Sequence, residues 1–359
     1  MKSASDVLKI AFVLDDGLDS EDGVQQYIKT VGTWLINQGH TVHYLVGQTK
    51  RTDIENVYSL AKNKRVSFNG NKLSIPLPAS KKAIQQVLEQ NDYDILHVQI
   101  PHSPFFASKV VNLAEKNAAI IGTFHILPYG LAANIGTKML GIWQRNNLKK
   151  FNSVVSVSSA AQQFAKESFK VDSIVIPNAV DIETYKTRKT AEHFKPPIKI
   201  LFLGRLVARK GCGYLIEALY EVSKRRSDIK FHLDICGKGE LDTELKNLVK
   251  RLGLDQRVAF RVFVSDEKKK QYMREADLAI FPSYAGESFG IVLIEAMAAD
   301  SGVVIGGNNP GYLTVLGELP ETIIDVHDKQ SFANRLETLM TDKKLQKKLH
   351  EKQSELVKK

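Results

Sequence analysis

The sequence holds only two cysteines in 359 residues, Cys212 and Cys236. They form no Cys-x-x-Cys pair and no cluster with histidine. That excludes a disulfide framework or a structural zinc site as the organising device, and they read as two reduced thiols near a core. Long apolar runs are also missing: none approaches the ~20 residues that a membrane-spanning helix needs. The start of the chain is apolar only from Val7 onward and is interrupted by Lys9. Asp15 and Asp16 then stand where a signal peptide would carry small neutral residues, so the segment reads as a first strand, and a cytoplasmic location follows by default. There is no low-complexity tract and no short internal repeat. With 43% hydrophobic and 25% charged residues, the composition is that of a globular chain rather than a disordered one. Its length suits two domains of roughly 150–200 residues.

What is present in excess is positive charge, a net +10, and it is localised. Between Lys50 and Lys82 lie Lys50, Arg51, Lys62, Lys64, Arg65, Lys72, Lys81 and Lys82, opposed only by Asp53 and Glu55. From Thr341 to Lys359 seven lysines face three acids. These two segments account for the whole surplus. A local basic surface suits an anionic partner: lipid headgroups, nucleic acid or a phosphorylated acceptor. Lysines kept for solubility are the equal alternative. No aromatic-interleaved basic motif or zinc pattern supports nucleic acid.

Short β-branched runs alternate with segments of helical period. The strand candidates of the first half are Lys9–Leu14, Thr41–Val46, Ile95–Gln99, Ala119–Phe124, Val154–Val157 and Ser173–Ile176. Those of the second are Ile198–Gly204, Lys230–Cys236, Val258–Val262, Leu278–Pro282, Val303–Ile305 and Thr322–Val326. Between them lie helical stretches such as Val24–Gln38, Tyr214–Arg225 and Glu240–Leu252. Such alternation predicts an α/β chain with parallel sheets covered by helices on both faces. The pattern breaks over Asp181–Pro197, which is polar and ends in Pro196 and Pro197. This sets an N-terminal domain at 1–182, a linker at 183–197 and a C-terminal domain at 198–359. Two doubly wound halves would hold ligands at the carboxyl ends of their strands, facing each other across a cleft.

Two motifs carry the chemistry. The first is Gly286-Glu287-Ser288-Phe289-Gly290-Ile291, continuing to Glu295, where a strand ending at Pro282 leads through a loop into a helix. A helix N-terminus offers unpaired N–H groups and partial positive charge, which suits a diphosphate. Glu287 beside it and Glu295 two turns on can accept hydrogen bonds from sugar hydroxyls. Taken alone, the pair reads as a cap and a solvated helix residue. The second motif, Gly204-Arg205-Leu206-Val207-Ala208-Arg209-Lys210-Gly211, directly follows the strand Ile198–Leu203. Arg205 and Lys210 bring two positive charges to a strand-end loop, enough to balance a diphosphate without a metal. The loop lacks the Gly-Lys-Ser/Thr of a Walker motif and the closing Gly of a dinucleotide fingerprint; alone, it reads equally as a surface loop.

In this order along the chain, together with Asp22-Gly23-Val24-Gln25, Gly39-His40-Thr41-Val42, Asp94-Ile95-Leu96-His97, Thr123-Phe124-His125, Ser156-Val157-Ser158 and Ile176-Pro177-Asn178-Ala179-Val180-Asp181, the motifs resemble the retaining glycosyltransferases of the GT-B fold, family 4. The resemblance covers almost the whole chain. Phe68-Asn69-Gly70, Thr123–His125, Glu287–Gly290 and Asn309-Pro310-Gly311-Tyr312 are similar to the phosphatidylinositol mannosyltransferases. The resemblance implies a hexose, mannose from GDP-mannose, moved to a phosphatidylinositol-type lipid, with no metal and no tightly bound cofactor. It implies that Arg205 and Lys210 hold the donor diphosphate with the backbone of Ser288, Phe289, Gly290, Ile291 and Gly23. Glu287 would bind the transferred sugar, Glu295 the ribose, and Val264 and Asp266 the base. His125 would point at the sugar, with Gln25 and Asn69 near the acceptor. Arg205, Lys210, His125 and Glu287 make up the catalytic set.

Several features stand apart from that pattern. Asp92-Tyr93-Asp94 matches a metal motif of another glycosyltransferase fold but here only precedes a strand, and Asp94 reads as a strand-edge residue. His97 and His102 lack companions for a metal site. The segment Ser80–Gln90 predicts a helix capped by Ser80, with Ala83, Ile84, Val87 and Leu88 on one face. Lys81 and Lys82 sit in its first turn, where the helix dipole disfavours cations. An anionic membrane surface met through Lys62, Lys64, Arg65, Lys72, Lys81 and Lys82 would retain them and place the protein on the inner face of the plasma membrane; an ordinary domain helix is the alternative. Asp300 stands where relatives carry Gly, and aspartate tolerates a left-handed turn. Asp22 replaces a second Gly and would repel a diphosphate unless turned away. The chain stops at Lys359, before the aromatic-containing last helix of relatives, as a fragment or a shorter variant would. Other readings are a UDP-sugar donor with a different lipid or a soluble acceptor, and a non-catalytic nucleotide-sugar sensor.

Overall fold

The computed structural model describes residues 7–20, 22–68, 71–114, 117–128, 131–185, 192–261 and 265–358. The chain divides into two units, Met1–Ala179 and Val180–Lys359.

The first unit runs β1 (Lys9–Leu14), α1 (Gly23–Asn37), β2 (Thr41–Val46), β3 (Val57–Ser59), β4 (Ala61–Phe68), β5 (Asn71–Ala79), α2 (Lys81–Asn91), β6 (Ile95–Gln99), α3 (Phe106–Leu113), β7 (Ala119–Phe124), α4 (Leu131–Leu148), β8 (Ser153–Ser156), α5 (Ser159–Phe164), a π-helical turn at Ala165–Phe169 and β9 (Ile174–Val175). Its main sheet has the order β3-β2-β1-β6-β7-β8-β9, and its pairings are parallel. Alternate residues of β1 serve opposite cores, as a strand covered on both faces must. Ala11 and Val13 pack with Leu96, Val98 and Ile84, whereas Phe12 and Leu14 pack with Ile28, Tyr44 and Val46.

The sequence reading placed no strand between Val46 and Ile95. The structure puts three there: the edge strand β3 and an antiparallel hairpin of β4 and β5. The hairpin register closes at Phe68↔Asn71, and the two residues between are Asn-Gly, the strongest two-residue hairpin signal in a sequence. That dipeptide was legible but was weighed only for its likeness to relatives. Elsewhere the expected strands appear within two residues of their predicted ends, except that Val262 lies outside the described residues.

The expected cap of α2 is present, with Ser80 Oγ accepting from the Ala83 N–H at 3.3 Å. Its apolar face is committed to the domain, since Ile84, Val87 and Leu88 are buried in the core, while Lys81 and Lys82 are exposed. Asp94 closes the sheet edge through an Oδ2 that accepts from the Lys9 N–H at 2.9 Å. No described helix is long and apolar enough to cross a membrane.

The second unit runs β10 (Ile198–Leu203), α6 (Cys212–Arg225), β11 (Phe231–Cys236), α7 (Asp242–Arg251), β12 (Val258–Arg261), α8 (Asp266–Glu275), β13 (Leu278–Phe281), α9 (Ile291–Ala298), β14 (Val303–Gly307), α10 (Pro310–Leu316), β15 (Ile323–Ile324), α11 (Lys329–Thr341) and α12 (Lys343–Leu356). Its parallel sheet has the order β12-β11-β10-β13-β14-β15, the doubly wound arrangement in which the order reverses between the first strand and the fourth. Both cysteines are buried in this unit; burial raises both thiols, Cys236 to about 12, so neither is a nucleophile at neutral pH. Asp300 has φ +63°, the left-handed conformation expected of it. Asp277, buried under β10, accepts from the Lys199 N–H at 2.7 Å and from the Phe194 N–H, tying the strand's approach to the sheet.

Candidate donor site

In the second unit the two motifs meet at the carboxyl edge of the sheet, beside the switch point between β10 and β13. A short 3-10 turn, Ala208–Lys210, follows β10 and ends at Gly211. Gly211 has φ +72°, and a Cβ there would lie 2.1 Å from the Pro282 carbonyl oxygen. Only glycine satisfies both the conformation and the approach. The contact brings Arg209 and Lys210 against the loop that follows β13.

Glu287 is the centre of that meeting. Its Oε1 accepts from Arg209 Nη1 at 2.8 Å, Lys210 Nζ at 2.8 Å and Ser283 Oγ at 2.7 Å. Burial alone would raise this carboxyl, but the Lys210 and Arg209 charges outweigh it and hold the group below its ordinary range. Arg209 also donates to the Ala285 carbonyl at 3.2 Å, and the Tyr284 N–H donates to the Arg209 carbonyl at 3.0 Å. Sequence reasoning named Arg205 and Lys210 as the cations and passed over Arg209. The structure shows Lys210 sharing a carboxylate with Arg209. Two cations, Arg209 and Lys210, against one carboxylate leave this cluster with one net positive charge.

The Asn309–Tyr312 motif supports this loop from beneath. Asn309 Oδ1 caps α10 by accepting from the Tyr312 N–H at 3.0 Å, and its Nδ2 donates to the Ser283 carbonyl at 2.7 Å. A Cβ on Gly311 would lie 2.3 Å from the Glu287 carbonyl oxygen, and one on Gly290 2.6 Å from the Tyr312 ring. Gly290 itself has φ +101° and stands at the N-cap of α9, ahead of Ile291. Phe289 is buried at its side.

Glu295, on α9, is 4% exposed, not the solvated residue that a lone-helix reading allows. Its Oε1 accepts from Lys269 Nζ at 2.7 Å and from the Tyr185 hydroxyl at 3.1 Å. Lys269 belongs to α8 and Tyr185 to the turn after Ile182–Thr184. Neither was legible as a partner from spacing, because they lie 26 and 110 residues away. Asp266 is the exposed first residue of α8. Val264 and Asn69 lie outside the described residues.

In the first unit, Gly23, Gln25 and His125 sit at the carboxyl edge of the sheet around its own switch point, between β1 and β6. Gly23 opens α1, behind an exposed Asp22 whose side chain makes no cap hydrogen bond. Gln25 is buried and donates through Nε2 to the Gly17 carbonyl at 3.2 Å. His125 follows β7. Its Nε2–H donates to Gln99 Oε1 at 2.7 Å, while Gln99 Nε2 donates to the His97 carbonyl at 3.1 Å. The Tyr27 ring of α1 stands 4.8 Å away, edge-on. Gln99 thus sets the His125 tautomer, a role that sequence gave no sign of. Burial, helped by His97, pushes His125 down to about 3, so the imidazole is neutral at physiological pH.

Burial also pushes His97 and His102 down to about 4. His102 lies among Phe124, Phe164 and Phe169, and its Nδ1 has no partner among the described residues. An unfolded histidine binds its proton near pH 6.5 and these folded ones do not. Each therefore subtracts stability as pH falls from 6.5 towards its depressed value, and has no effect above 6.5. At pH 5 the cost is about 2 kcal/mol per histidine. Replacing His102 with Phe is expected to change stability by less than about 1.5 kcal/mol at pH 7.5 and to stabilise by about 2 kcal/mol at pH 5. Urea melts at the two pH values check this; an equal effect at both would mean that His102 is not held neutral.

Each unit thus carries a strand-edge site at the switch point of a doubly wound sheet, the second with a cationic cluster at a helix N-terminus. That combination is the setting in which doubly wound sheets bind phosphate-bearing ligands. Residues 22–184 match the family model described as Glycosyltransferase Family 4, and residues 184–355 match Glycosyl transferases group 1. The chain is 30% identical over 304 residues to a phosphatidyl-myo-inositol mannosyltransferase of Mycobacterium tuberculosis, covering 83% of this chain and 77% of that one. Among solved structures it is similar to a glycosyltransferase from Rickettsia africae, with a TM-score of 0.74 and 20% identity over 98% of this chain and 93% of that one. It is also similar to Anabaena HepE in complex with UDP and glucose, with a TM-score of 0.72 and 20% identity over 98% and 94%. The chain belongs to family 4 of the glycosyltransferases, and its curated relatives include the phosphatidyl-myo-inositol mannosyltransferases.

Proposed function

We propose that the protein transfers mannose from GDP-mannose to a phosphatidylinositol-type lipid, with retention at the anomeric carbon. The observation that carries the donor side is the Arg209–Lys210–Glu287–Ser283 cluster at the sheet edge. The net positive charge of this cluster and the N-terminus of α9, with Arg205 on the same strand-end loop, suit a nucleoside diphosphate. As the bond between the sugar C1 and the diphosphate oxygen breaks, negative charge grows on that oxygen. Lys210, Arg205, Arg209 and the Phe289–Ile291 amides stabilise it. The acceptor hydroxyl attacks C1 on the face from which the diphosphate leaves, and the departing phosphate takes the hydroxyl proton. Neutral His125, whose Nε2–H is held by Gln99, meets a sugar hydroxyl as an acceptor through Nδ1 and carries no charge. Glu295 takes the ribose, and Gln25 and Asn69 serve the acceptor. The domain limits 1–182 and 198–359, with a linker at 183–197, belong to the same reading, as does a peripheral position on the inner face of the plasma membrane.

The lipid assignment follows the mannosyltransferase relatives. The second reading, a UDP-sugar donor, takes its support from the HepE complex with UDP and glucose. Isothermal titration with GDP and UDP, without metal, tests both. Each lost charge-assisted hydrogen bond is worth roughly 1.5–3 kcal/mol, so Lys210→Ala is expected to weaken the preferred nucleotide by about 10- to 100-fold. GDP bound well and lost in the variant supports a mannose donor. A clear preference for UDP sinks it, and binding of neither sinks the donor site.

A further inference from the structure

Helix α4 leaves a row of large apolar side chains on its outer face. Its inward face is mixed: Gly141, Gln144 and Asn147 are buried with Leu148, and Leu140 packs half-buried against the same core. A Cβ on Gly141 would lie 2.1 Å from the Ser168 carbonyl oxygen, so the helix rests its backbone directly on the π-helical turn. Asn147 Nδ2 donates to Ser108 Oγ of α3 at 3.1 Å. Four other large apolar side chains point the opposite way. Ile135 is 54% exposed, Met139 68%, Ile142 80% and Trp143 70%. Steps of four, three and four residues (135 to 139, 139 to 142, 139 to 143) make these four side chains neighbours on one helix face. Isolated exposed apolar residues need no explanation, but a contiguous stripe containing tryptophan does.

The charge around the stripe says what covers it. From Leu131 to Lys150 there is no Asp or Glu, and there are four cations, Lys138, Arg145, Lys149 and Lys150. All four are exposed. A stripe that met another protein surface at random would have no reason to exclude acids over twenty residues. An apolar face with tryptophan and isoleucine, on a segment whose own charges are all positive, is the composition of a helix that lies in the headgroup boundary of an anionic bilayer. There the cations face phosphate and the apolar side chains enter the acyl edge. We propose that α4 is the surface by which this protein sits on an anionic lipid bilayer. It rests on the peripheral membrane position proposed above, to which it assigns a surface, and it needs neither the donor nor the acceptor assignment. It also differs in place from the Lys62–Lys82 surface read from the sequence, because the apolar face of α2 in that segment is spent on the core.

The sequence contains two tryptophans, Trp34 and Trp143, so Trp34→Phe leaves Trp143 as a single reporter. The full chain is mixed at low salt with vesicles of equal phosphatidylglycerol and phosphatidylcholine, and with phosphatidylcholine alone. Co-flotation with the anionic vesicles, weaker with the neutral ones, and a blue shift of Trp143 emission are expected. The double substitution Ile142→Ser with Trp143→Ser, judged by flotation, is expected to cost about tenfold or more in vesicle binding and to leave GDP or UDP titration unchanged. That separates it from failure of the nucleotide site. Four results overturn the proposal: no flotation of the wild-type chain, flotation without an emission shift, loss of flotation in Lys81→Glu with Lys82→Glu but not in the α4 variant, or a lipid-free dimer that the α4 variant dissolves. The last would make the stripe an interface between copies of this chain.

Discussion

Replacement of Glu287 with alanine is expected to cost the second unit about 3–5 kcal/mol and to leave it more dependent on bound nucleotide than the wild type. Among the described residues the carboxylate is the negative group that Arg209 and Lys210 pair with, and these two and Ser283 converge as donors on its Oε1. Arg209 and Lys210 are 11% and 18% exposed at the side chain, so water does little to replace the lost partner, and two cations are left facing each other. Breaking such a pair by removing one member is far costlier than its net worth, because the remaining charge stays desolvated. A nucleoside diphosphate that enters the site restores the missing negative charge. The rise in melting temperature at saturating GDP or UDP should therefore be larger in the variant than in the wild type. Glu287→Gln, which keeps an acceptor oxygen, should fall between the two in stability. A nucleotide-induced rise in Glu287→Ala equal to or below that of the wild type would mean that the carboxylate and the diphosphate do not share the same cations.

This behaviour was only half visible in the residues. The strand–loop motifs announced themselves because backbone geometry forces particular residue types. Gly211 and Gly290 hold positive φ at close approaches, and the continuous apolar runs of β1 and β10 betray strands covered on both faces. Such constraints are local and survive in a one-dimensional reading. The partnership of Arg209 with Glu287 does not, since it joins positions 78 residues apart through the folding of two strand ends onto one edge. Lys269 and Tyr185 beside Glu295 were hidden for the same reason. The α4 stripe escaped for a different one: a helix with apolar residues along one side reads as a core helix until the structure shows which side faces in. Hairpin β4–β5 was missed because Lys62, Lys64 and Arg65 drew attention as charge rather than as part of an alternating strand.

The second large effect is expected at Glu295, where stability and binding can be pulled apart. Glu295→Ala removes the acceptor of Lys269, which is 12% exposed at the side chain, and of the Tyr185 hydroxyl. It should cost about 3–5 kcal/mol and loosen the Ile182–Tyr185 turn, which Asp181 and Lys270 also hold: the Glu183 N–H donates to Asp181 Oδ1 at 3.0 Å, and Lys270 Nζ donates to the Thr184 carbonyl at 3.0 Å and lies 4.8 Å from the Tyr185 ring centroid. A loss of nucleotide affinity in that variant would prove little, since a weakened fold binds weakly. The double variant Glu295→Met with Lys269→Met removes both charges together. Replacing a whole buried ion pair with apolar side chains of similar length is often neutral or stabilising, so its melting temperature should return to within a few degrees of the wild type. The proposed ribose acceptor is still gone, and affinity for the nucleoside diphosphate should stay about 10- to 100-fold weak. Titration of the double variant decides the matter. Wild-type affinity there would make Glu295 a counter-ion for Lys269 and nothing more, and the ribose contact would have to be sought elsewhere on α8 or α9.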